Sequence, residues 1–570
     1  MTGLQYLIRE LKKYGVTDSF GIPGAVILDM IYGFEENGIS THLTYHEQAA
    51  GFAACGYAQK GNRLGVAYAT KGPGFTNLIT AIADAYYDSL PVLFITAHSN
   101  NEINGNIRYL ANQEMDTVDM VKKITKYSER IDCIEDVIVK IPMACKVAMQ
   151  DRKGPAFLDI NSRLFMTDIG DTQYYKSEFE SNNLVESSDI ISETICDSIA
   201  MSSRPVVLIG NGVRYQSNIK ELQSFCERNY LPILSSRVAM DCMAGSSQYY
   251  GYIGSRGLRY SNYILDKCDL IISFGNRMSY NLESESFKGI MDNKQVIRLE
   301  IDEFECQREI PNTQNFLCNI SDVIAGIADK KVDFRDKEKW NSICKQYKES
   351  LNMYDLTDST HFLISMLERL PEDVGIVSDV GNNSIWLSRA YSYSEVRNQL
   401  YFSMGFSSLG NALCKAEGMY YTDKKYVTCI VGDQGFQLNV QELEFFSKNK
   451  IPVLLIVVNN NTSGMIHNWE MVKFDYDWHT TPSSGYGGPS IRKLAEAYGI
   501  SYVKYEEISD IDNAIKKCER GEAVIVELLA EQSEKVAPML KKGDPCYDMS
   551  PYIPNDLKKQ LEGVWDCNYG

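Results

Sequence analysis

Apolar residues in this chain come in short runs of four to eight, separated by longer segments of helical periodicity. VAYA from Val66, VLFIT from Val92, PVVLI from Pro205, VTCIV from Val427 and VLLIV from Val453 are rich in β-branched residues and bounded by Gly, Pro or Asn. Near-continuous apolar strands alternating with helix-length segments predict parallel sheets covered on both faces. The pattern also repeats. Val66–Ile95 and Val427–Ile456 each read as an apolar run, a Gly-rich turn ending in Gly-Phe, a helix, and then Pro-Val-Leu. Val66, Gly74, Phe75, Pro91, Val92 and Leu93 stand opposite Val427, Gly435, Phe436, Pro452, Val453 and Leu454 at a constant offset of 361. A register of that length predicts an internal duplication.

The expected fold is therefore α/β, with three doubly wound parallel-sheet domains, the first and third related by duplication. Between the two copies lie PVVLIGNGV, LPILSS, CDLIISFGNR and QVIRLEID, a third strand-and-turn series ending at Asp302. Its Gly210-Asn-Gly212 lacks a third glycine at the spacing of a dinucleotide fingerprint and reads as a tight turn. Periodicity fails over Thr167–Ser188 and Asp329–Lys339, which read as linkers. The predicted boundaries are 1–166, 189–328, 355–540 and a tail at 541–570.

Composition narrows the function. With 570 residues and 44% hydrophobic content the chain is too long for one core and too apolar for disorder. The longest aliphatic stretch, Ile451–Val458, is far short of a membrane span, and MTGLQYLIRELKKYGV carries no export signal, so a cytoplasmic protein is expected. A net charge of −18 argues against nucleic acid or an anionic membrane as main partner. Fifteen cysteines without a CxxC pair read as reduced thiols.

Ligands of parallel sheets bind beyond the carboxyl ends of the strands, where both Gly-rich turns fall. Gly432-Asp433-Gln434-Gly435 closes one strand, and Asn459-Asn460-Asn461 closes the next, Asn460 lying 27 residues after Asp433. One carboxylate, one amide oxygen and a nearby main-chain carbonyl make a hard oxygen site suited to Mg²⁺ with a diphosphate. A helix cap at Asp433 and a simple Asn turn explain the same residues equally well.

GDQGF…NNNTSGM resembles the GDG…N signature of thiamine-diphosphate enzymes, and the chain is similar to their acetolactate synthase branch from about residue 3 to 540. FGIPGAVILDMIYGF, YHEQAAGFAACGYAQ, ATKGPGFTNLITAIADAYYDSLPVLFITA, NQEMD, SDVGNNSIW, LGNALCKAEG and VVNNNTSGMIHNWE carry the resemblance in order. It implies a pyrimidine-binding first domain and a diphosphate-binding third domain, working as a homodimer or homotetramer whose sites combine two subunits. It implies Mg²⁺ ligands at Asp433, Asn460 and the carbonyl of Thr462. Diphosphate contacts fall at Gly381, Asn382 and Asn383, where the branch usually has Gln-His. Leu409 stands where a Met bends the cofactor, and Met465 lines the pyrimidine. Pro23, Gly24, Ala25, Thr70, Gly74, Asn77, Ser408, Gly432, Gln434, Gly435 and Gly464 complete the implied cofactor contacts.

Glu47 matches the residue that binds N1′ of the aminopyrimidine and promotes loss of the thiazolium C2 proton. The implied activity is decarboxylation of a 2-oxo acid, pyruvate first, and carboligation of the enamine to a second carbonyl substrate. An authentic acetolactate synthase, a simple 2-oxo acid decarboxylase and a non-catalytic scaffold are the alternatives. The departures cluster at the acceptor. Asn281 stands where the branch has the Arg that grips the second oxo acid, Asn112 replaces an aromatic residue, and Lys71 replaces a frequent Ser. An amide cannot give a charge-assisted carboxylate pair. Gln113, His98, His467 and Trp469 are the remaining substrate candidates. The tail DPCYDMSPYIPNDLKKQL resembles those of surface-sugar biosynthesis relatives, which suggests a keto-sugar nucleotide acceptor. The middle domain corresponds to the FAD-holding domain of the branch. It keeps Arg277, but GYIGSRG replaces the usual stretch and an Asp pair is missing, so the resemblance leaves FAD open.

Overall fold

A computed structural model describes residues 1–99, 111–170, 186–279, 287 and 290–569, the last five without their side chains. Asn281, and residues 171–185 of the expected first linker, lie outside the described residues. Three six-stranded parallel sheets account for the strands. The first contains β1 (Asp18–Gly21), β2 (Ser40–Leu43), β3 (Gly65–Ala69), β4 (Val92–His98), β5 (Tyr127–Ile131) and β6 (Ala156–Asn161), in the order β2-β1-β3-β4-β6-β5. The second runs β12-β11-β10-β7-β8-β9, from β7 (Pro205–Ile209), β8 (Ile233–Ser235), β9 (Tyr249–Tyr252), β10 (Leu270–Phe274), β11 (Gln295–Glu300) and β12 (Thr313–Leu317). The third is built from β13 (Ile376–Ser378), β14 (Leu400–Phe402), β15 (Val427–Gly432), β16 (Val453–Asn459), β17 (Ser501–Lys504) and β18 (Val524–Leu529). Its order, β14-β13-β15-β16-β18-β17, is that of the first sheet, position for position. The strands in the repeated sequence, β3–β4 and β15–β16, occupy equivalent central places. That is the duplication the sequence predicted.

The sheets gather into two compact units. One holds Met1–Glu180, Asp373–Ser384 and Tyr401–Gln532, and so the first and third sheets. The other holds Ser181–Glu372, Ile385–Leu400 and Ser533–Gly570 around the second sheet. In the second unit, Arg259 pairs with Asp355 at 2.6 Å and donates to the Met549 carbonyl at 2.7 Å, so the tail is part of that unit's core. Gly210, Gly212 and Gly275 pack backbone to backbone there: a Cβ on Gly210 would stand 2.3 Å from the Gly275 oxygen. Close approach of two strand ends explains these glycines, as a tight turn requires.

In the first unit six helices matter for the site: α1 (Glu47–Gly61), α2 (Pro73–Tyr87), α3 (Asn382–Tyr393, of which only Asn382–Ser384 belong to this unit), α4 (Asn411–Asp423), α5 (Asp433–Leu438) and α6 (Gly464–Phe474). His46 precedes α1, and its imidazole accepts the Gln48 N–H at 3.1 Å and so caps the first turn. Its run of Ala and Gly is buried because α4 lies directly against it. A Cβ on Gly56 would meet the Lys415 oxygen at 2.1 Å, and one on Gly418 the Ala53 oxygen at 1.8 Å. Small residues at these crossings let the two helix backbones touch. Beside them Lys415 and Asp84 form a fully buried pair at 2.9 Å, and Ser403 donates to the other Asp84 oxygen at 2.5 Å. The described cysteines are all unpaired, as expected of thiols. No helix among the described residues is long and apolar enough to cross a membrane.

Candidate functional site

Two clusters form at the carboxyl ends of the duplicated sheets. In the first, Glu47 heads α1, and its Oε2 accepts from the Asn77 amide at 2.9 Å. Gly74, in the first turn of α2, faces the other oxygen: its Cβ would lie 3.4 Å from Glu47 Oε1 and 2.9 Å from the Thr70 methyl. Gly24 packs on Thr70, with 2.4 Å from its would-be Cβ to the Thr70 Cβ. Thus β1, β3 and two helices bring Gly24, Thr70, Gly74, Asn77 and Glu47 together. Pro23 and Ala25 flank Gly24, exposed on the loop after β1.

The neighbouring loop ties down Lys71. Its ammonium lies 2.7 Å from Glu114 Oε1 and 2.8 Å from Ser99 Oγ. Burial pushes the Glu114 carboxyl up, but Lys71 and the Ser99 N–H outweigh it and hold the group below the ordinary range. Gln113 adopts φ +61° and packs on Gly72, while Asn112 is exposed beside it. His98 is placed differently from the expectation of a substrate contact. It is 1% exposed, with Nε2 2.8 Å from Asp132 and Nδ1 3.3 Å from Asp159. Arg130 bonds Asp132, and Thr96 and Thr117 donate to Asp159, which closes the network.

The second cluster sits at the ends of β13, β15 and β16. β15 and β16 pair Gly432 with Val458, so Asp433 and the asparagines emerge side by side. Asp433 accepts the Thr462 N–H, and burial pushes its carboxyl up to about 6. A Cβ on Gly464 would strike both the Asn460 and Asn382 amide nitrogens, at 2.9 and 3.0 Å. Only hydrogen fits between them. The structure divides Asn382 from Asn383: the Asn382 amide is buried without a partner, whereas the Asn383 amide already donates to the Asp379 carbonyl at 2.9 Å. Asn383 instead turns its oxygen towards Gly381 and Gly432, 3.0 and 3.6 Å from their would-be Cβ positions. Ser408 Oγ is likewise buried and unpartnered. Leu409 is 3.5 Å from the Cβ position of Gly435. Gln434 accepts the Ser463 hydroxyl at 2.7 Å.

Downstream, Met465 and His467 lie on α6, with His467 Nδ1 3.1 Å from Thr480 Oγ1. Trp469 is 52% exposed on the same helix, beside exposed Ile466, Val472 and Phe474.

Three residues here escaped the sequence reading. Asp379 accepts the Gly410 N–H at 2.9 and 3.0 Å, which fixes the turn carrying Leu409. Glu442 accepts the Tyr45 N–H, and Tyr486 donates to Asp433 Oδ2 at 3.0 Å. Asp379 stands in the SDVGNNSIW motif and Glu442 in the repeated segment Val427–Ile456, whereas Tyr486 lies in neither.

An orphaned amide, an unpartnered hydroxyl, a buried carboxylate and a glycine with room only for hydrogen fit an anionic, metal-bridged group. Family comparisons decide which one. Residues 1–120 match the thiamine pyrophosphate enzyme N-terminal TPP binding domain, 192–327 its central domain and 379–528 its C-terminal TPP binding domain. The chain is 30% identical over 562 residues to the acetolactate synthase large subunit of Lactococcus lactis, covering 95% of each. The chain belongs to the thiamine-pyrophosphate enzyme family. It is a thiamine-diphosphate-dependent enzyme of acetolactate synthase type. The acetolactate synthase isozyme 2 large subunit of Escherichia coli is 25% identical over 551 residues, 95% of this chain and 98% of the relative. A probable acetolactate synthase large subunit of Methanocaldococcus jannaschii is 28% identical over 574 residues, 95% and 94%. Both clusters fall inside thiamine-pyrophosphate domains of the family.

Proposed function

We propose that this enzyme decarboxylates a 2-oxo acid, with pyruvate the first candidate, and joins the two-carbon unit to a second carbonyl compound. The observation that carries this is Glu47, half-buried at the head of α1, bonded by Asn77 and faced by Gly74. A carboxyl held there by one amide can give and take a proton at a fixed place. Bound thiamine diphosphate supplies the electron sink for decarboxylation. Asp433, Asn460 and the Thr462 carbonyl would hold Mg²⁺. The Asn382 amide and Ser408 hydroxyl, both without partners among the described residues, would bind the diphosphate. Pro23, Gly24, Ala25, Thr70 and Met465 would enclose the pyrimidine end, with Leu409 the apolar wedge. Lys71, whose ammonium also holds Glu114, would be a cation for a substrate carboxylate, with Asn112, Gln113, His467 and Trp469 the further substrate-side residues.

The relatives are acetolactate synthases, which supports pyruvate as both donor and acceptor. Asn281 in place of an Arg, and the tail, support a different acceptor, a keto-sugar nucleotide among them. Incubation of the purified protein with thiamine diphosphate, Mg²⁺ and pyruvate separates the readings. Rapid acetolactate formation selects the synthase, acetaldehyde alone selects the decarboxylase, and turnover only with added acceptor selects the transferase. Consumption of no 2-oxo acid at all would leave a scaffold. FAD enters no step, and visible flavin absorption of the purified protein tests for it.

A cytoplasmic homodimer or tetramer, and the domain boundaries 1–166, 189–328 and 355–540, belong to the same proposal. The exposed apolar side chains of α6 support self-association, because a subunit face is the usual cover for such a patch. Sedimentation with and without cofactor measures it.

A further inference from the structure

Tyr486 is 53 residues from Asp433, in a segment with no sequence signal for cofactor binding. The chain brings it there by a series of ties. Ser463, the residue after Thr462, donates its N–H to the Thr480 carbonyl at 2.9 Å, and Tyr486 donates its own N–H to the Thr481 carbonyl at 2.9 Å. Side chains lock the same turn: Thr480 Oγ1 lies 2.6 Å from Glu470 and 2.7 Å from Asp477, and the Ser484 hydroxyl donates to Asp477 at 2.7 Å. The segment is thus anchored to α6 and to the Asn460–Ser463 turn. Gly485, at φ +105°, occupies a backbone region that side chains rarely adopt, and it turns the chain so that the next residue points back. A Cβ on Gly487 or Gly488 would meet nothing within 4 Å, so the tight packing ends at Tyr486. At the end of this construction the phenol donates to Asp433 Oδ2 at 3.0 Å.

We propose that Tyr486 is a positioning residue of the metal site, holding one oxygen of the Asp433 carboxylate so that the group is oriented before Mg²⁺ arrives. This rests on the reading of Asp433 as a metal ligand. A carboxylate free to rotate must lose that freedom on binding, whereas one already tied by a phenol and by the Thr462 N–H has lost it in advance. The donor's partner is a side-chain oxygen and its anchor is the turn of a neighbouring ligand, so the device acts on metal binding rather than on the fold.

The test titrates purified full-length apoprotein with Mg²⁺ at saturating thiamine diphosphate, and with thiamine diphosphate at saturating Mg²⁺, by calorimetry. Tyr486→Phe should raise the Mg²⁺ concentration for half-saturation about tenfold. Affinity for thiamine diphosphate at saturating Mg²⁺ should be unchanged. Gly485→Ala, which strains the turn but keeps the phenol, should move the Mg²⁺ requirement in the same direction. If Tyr486→Phe leaves the Mg²⁺ requirement unchanged while Asp433→Ala abolishes it, Tyr486 has no such role and the site reading survives. If Asp433→Ala binds both ligands as the parent does, the site reading itself fails and Tyr486 fails with it.

Discussion

Glu442 accepts the main-chain N–H of Tyr45, at 3.1 and 3.2 Å to its two carboxylate oxygens, two residues before Glu47. The pair is 397 residues apart in sequence and joins the third sheet's domain to the start of the helix that Glu47 heads. Glu442 also accepts the His46 N–H, and the fully buried Glu417 faces it. Burial, and the Glu442 carboxyl beside it, raise Glu417 far above the carboxylate range.

This arrangement sets a pH dependence. Burial pushes Glu442 from an ordinary 4.5 up to about 7. A carboxyl raised in the folded state contributes its stability below its unfolded value and loses it as the pH rises through the folded one. The first unit should therefore lose on the order of 2–3 kcal/mol between about pH 5 and about pH 8 from this group. Glu417, Gln441 and the Tyr45 and His46 amides are the groups that face it. Denaturant unfolding across that range should show the slope, and Glu442→Gln should flatten it. An unchanged slope would assign it to other acids.

Glu47→Gln should fold as the parent does, because the amide still bonds Asn77. Exchange of the C2 proton of bound thiamine diphosphate, followed by nuclear magnetic resonance, should slow by about 10²–10⁴. Exchange at the parental rate would remove Glu47 from the chemistry.

Gly418→Ala drives a methyl group into the Ala53 carbonyl at 1.8 Å, where two helix backbones touch. The helices must separate, at a cost of about 3 kcal/mol or more. Equilibrium unfolding should register it, and Gly56→Ala should behave likewise.

Asp84→Asn leaves the Lys415 ammonium buried without its 2.9 Å partner. A loss of about 3–5 kcal/mol is expected. Replacing both residues with apolar ones of similar volume should restore much of it, as double-mutant analysis would show.

Lys71→Gln removes the cation proposed for a substrate carboxylate while Glu114 keeps its Ser99 bonds. Stability should fall by about 1–3 kcal/mol, because the Glu114 carboxylate loses its 2.7 Å partner, and the KM for the 2-oxo acid should rise about tenfold. A change in melting temperature alone would make Lys71 structural.

Much of this protein was determined by sequence alone. The strands and turns are local: apolar runs fix where sheets form, and the constant offset of 361 revealed two copies of one unit, now seen as sheets of identical strand order. The side-by-side placing of Asp433 and Asn460 was legible because each follows a strand, and neighbouring parallel strands end together. Tertiary structure decided which polar groups are already spoken for. Asn382 and Asn383 are adjacent and chemically identical, yet one amide is orphaned and the other is spent on a carbonyl. His98 is a substrate candidate by its place in the sequence, and two carboxylates enclose it. Tyr486 and Glu442 reach the site across 53 and 397 residues. Hydrogen bonds of this kind are satisfied by whatever the packed chain brings within about 3 Å, and linear spacing carries no record of that.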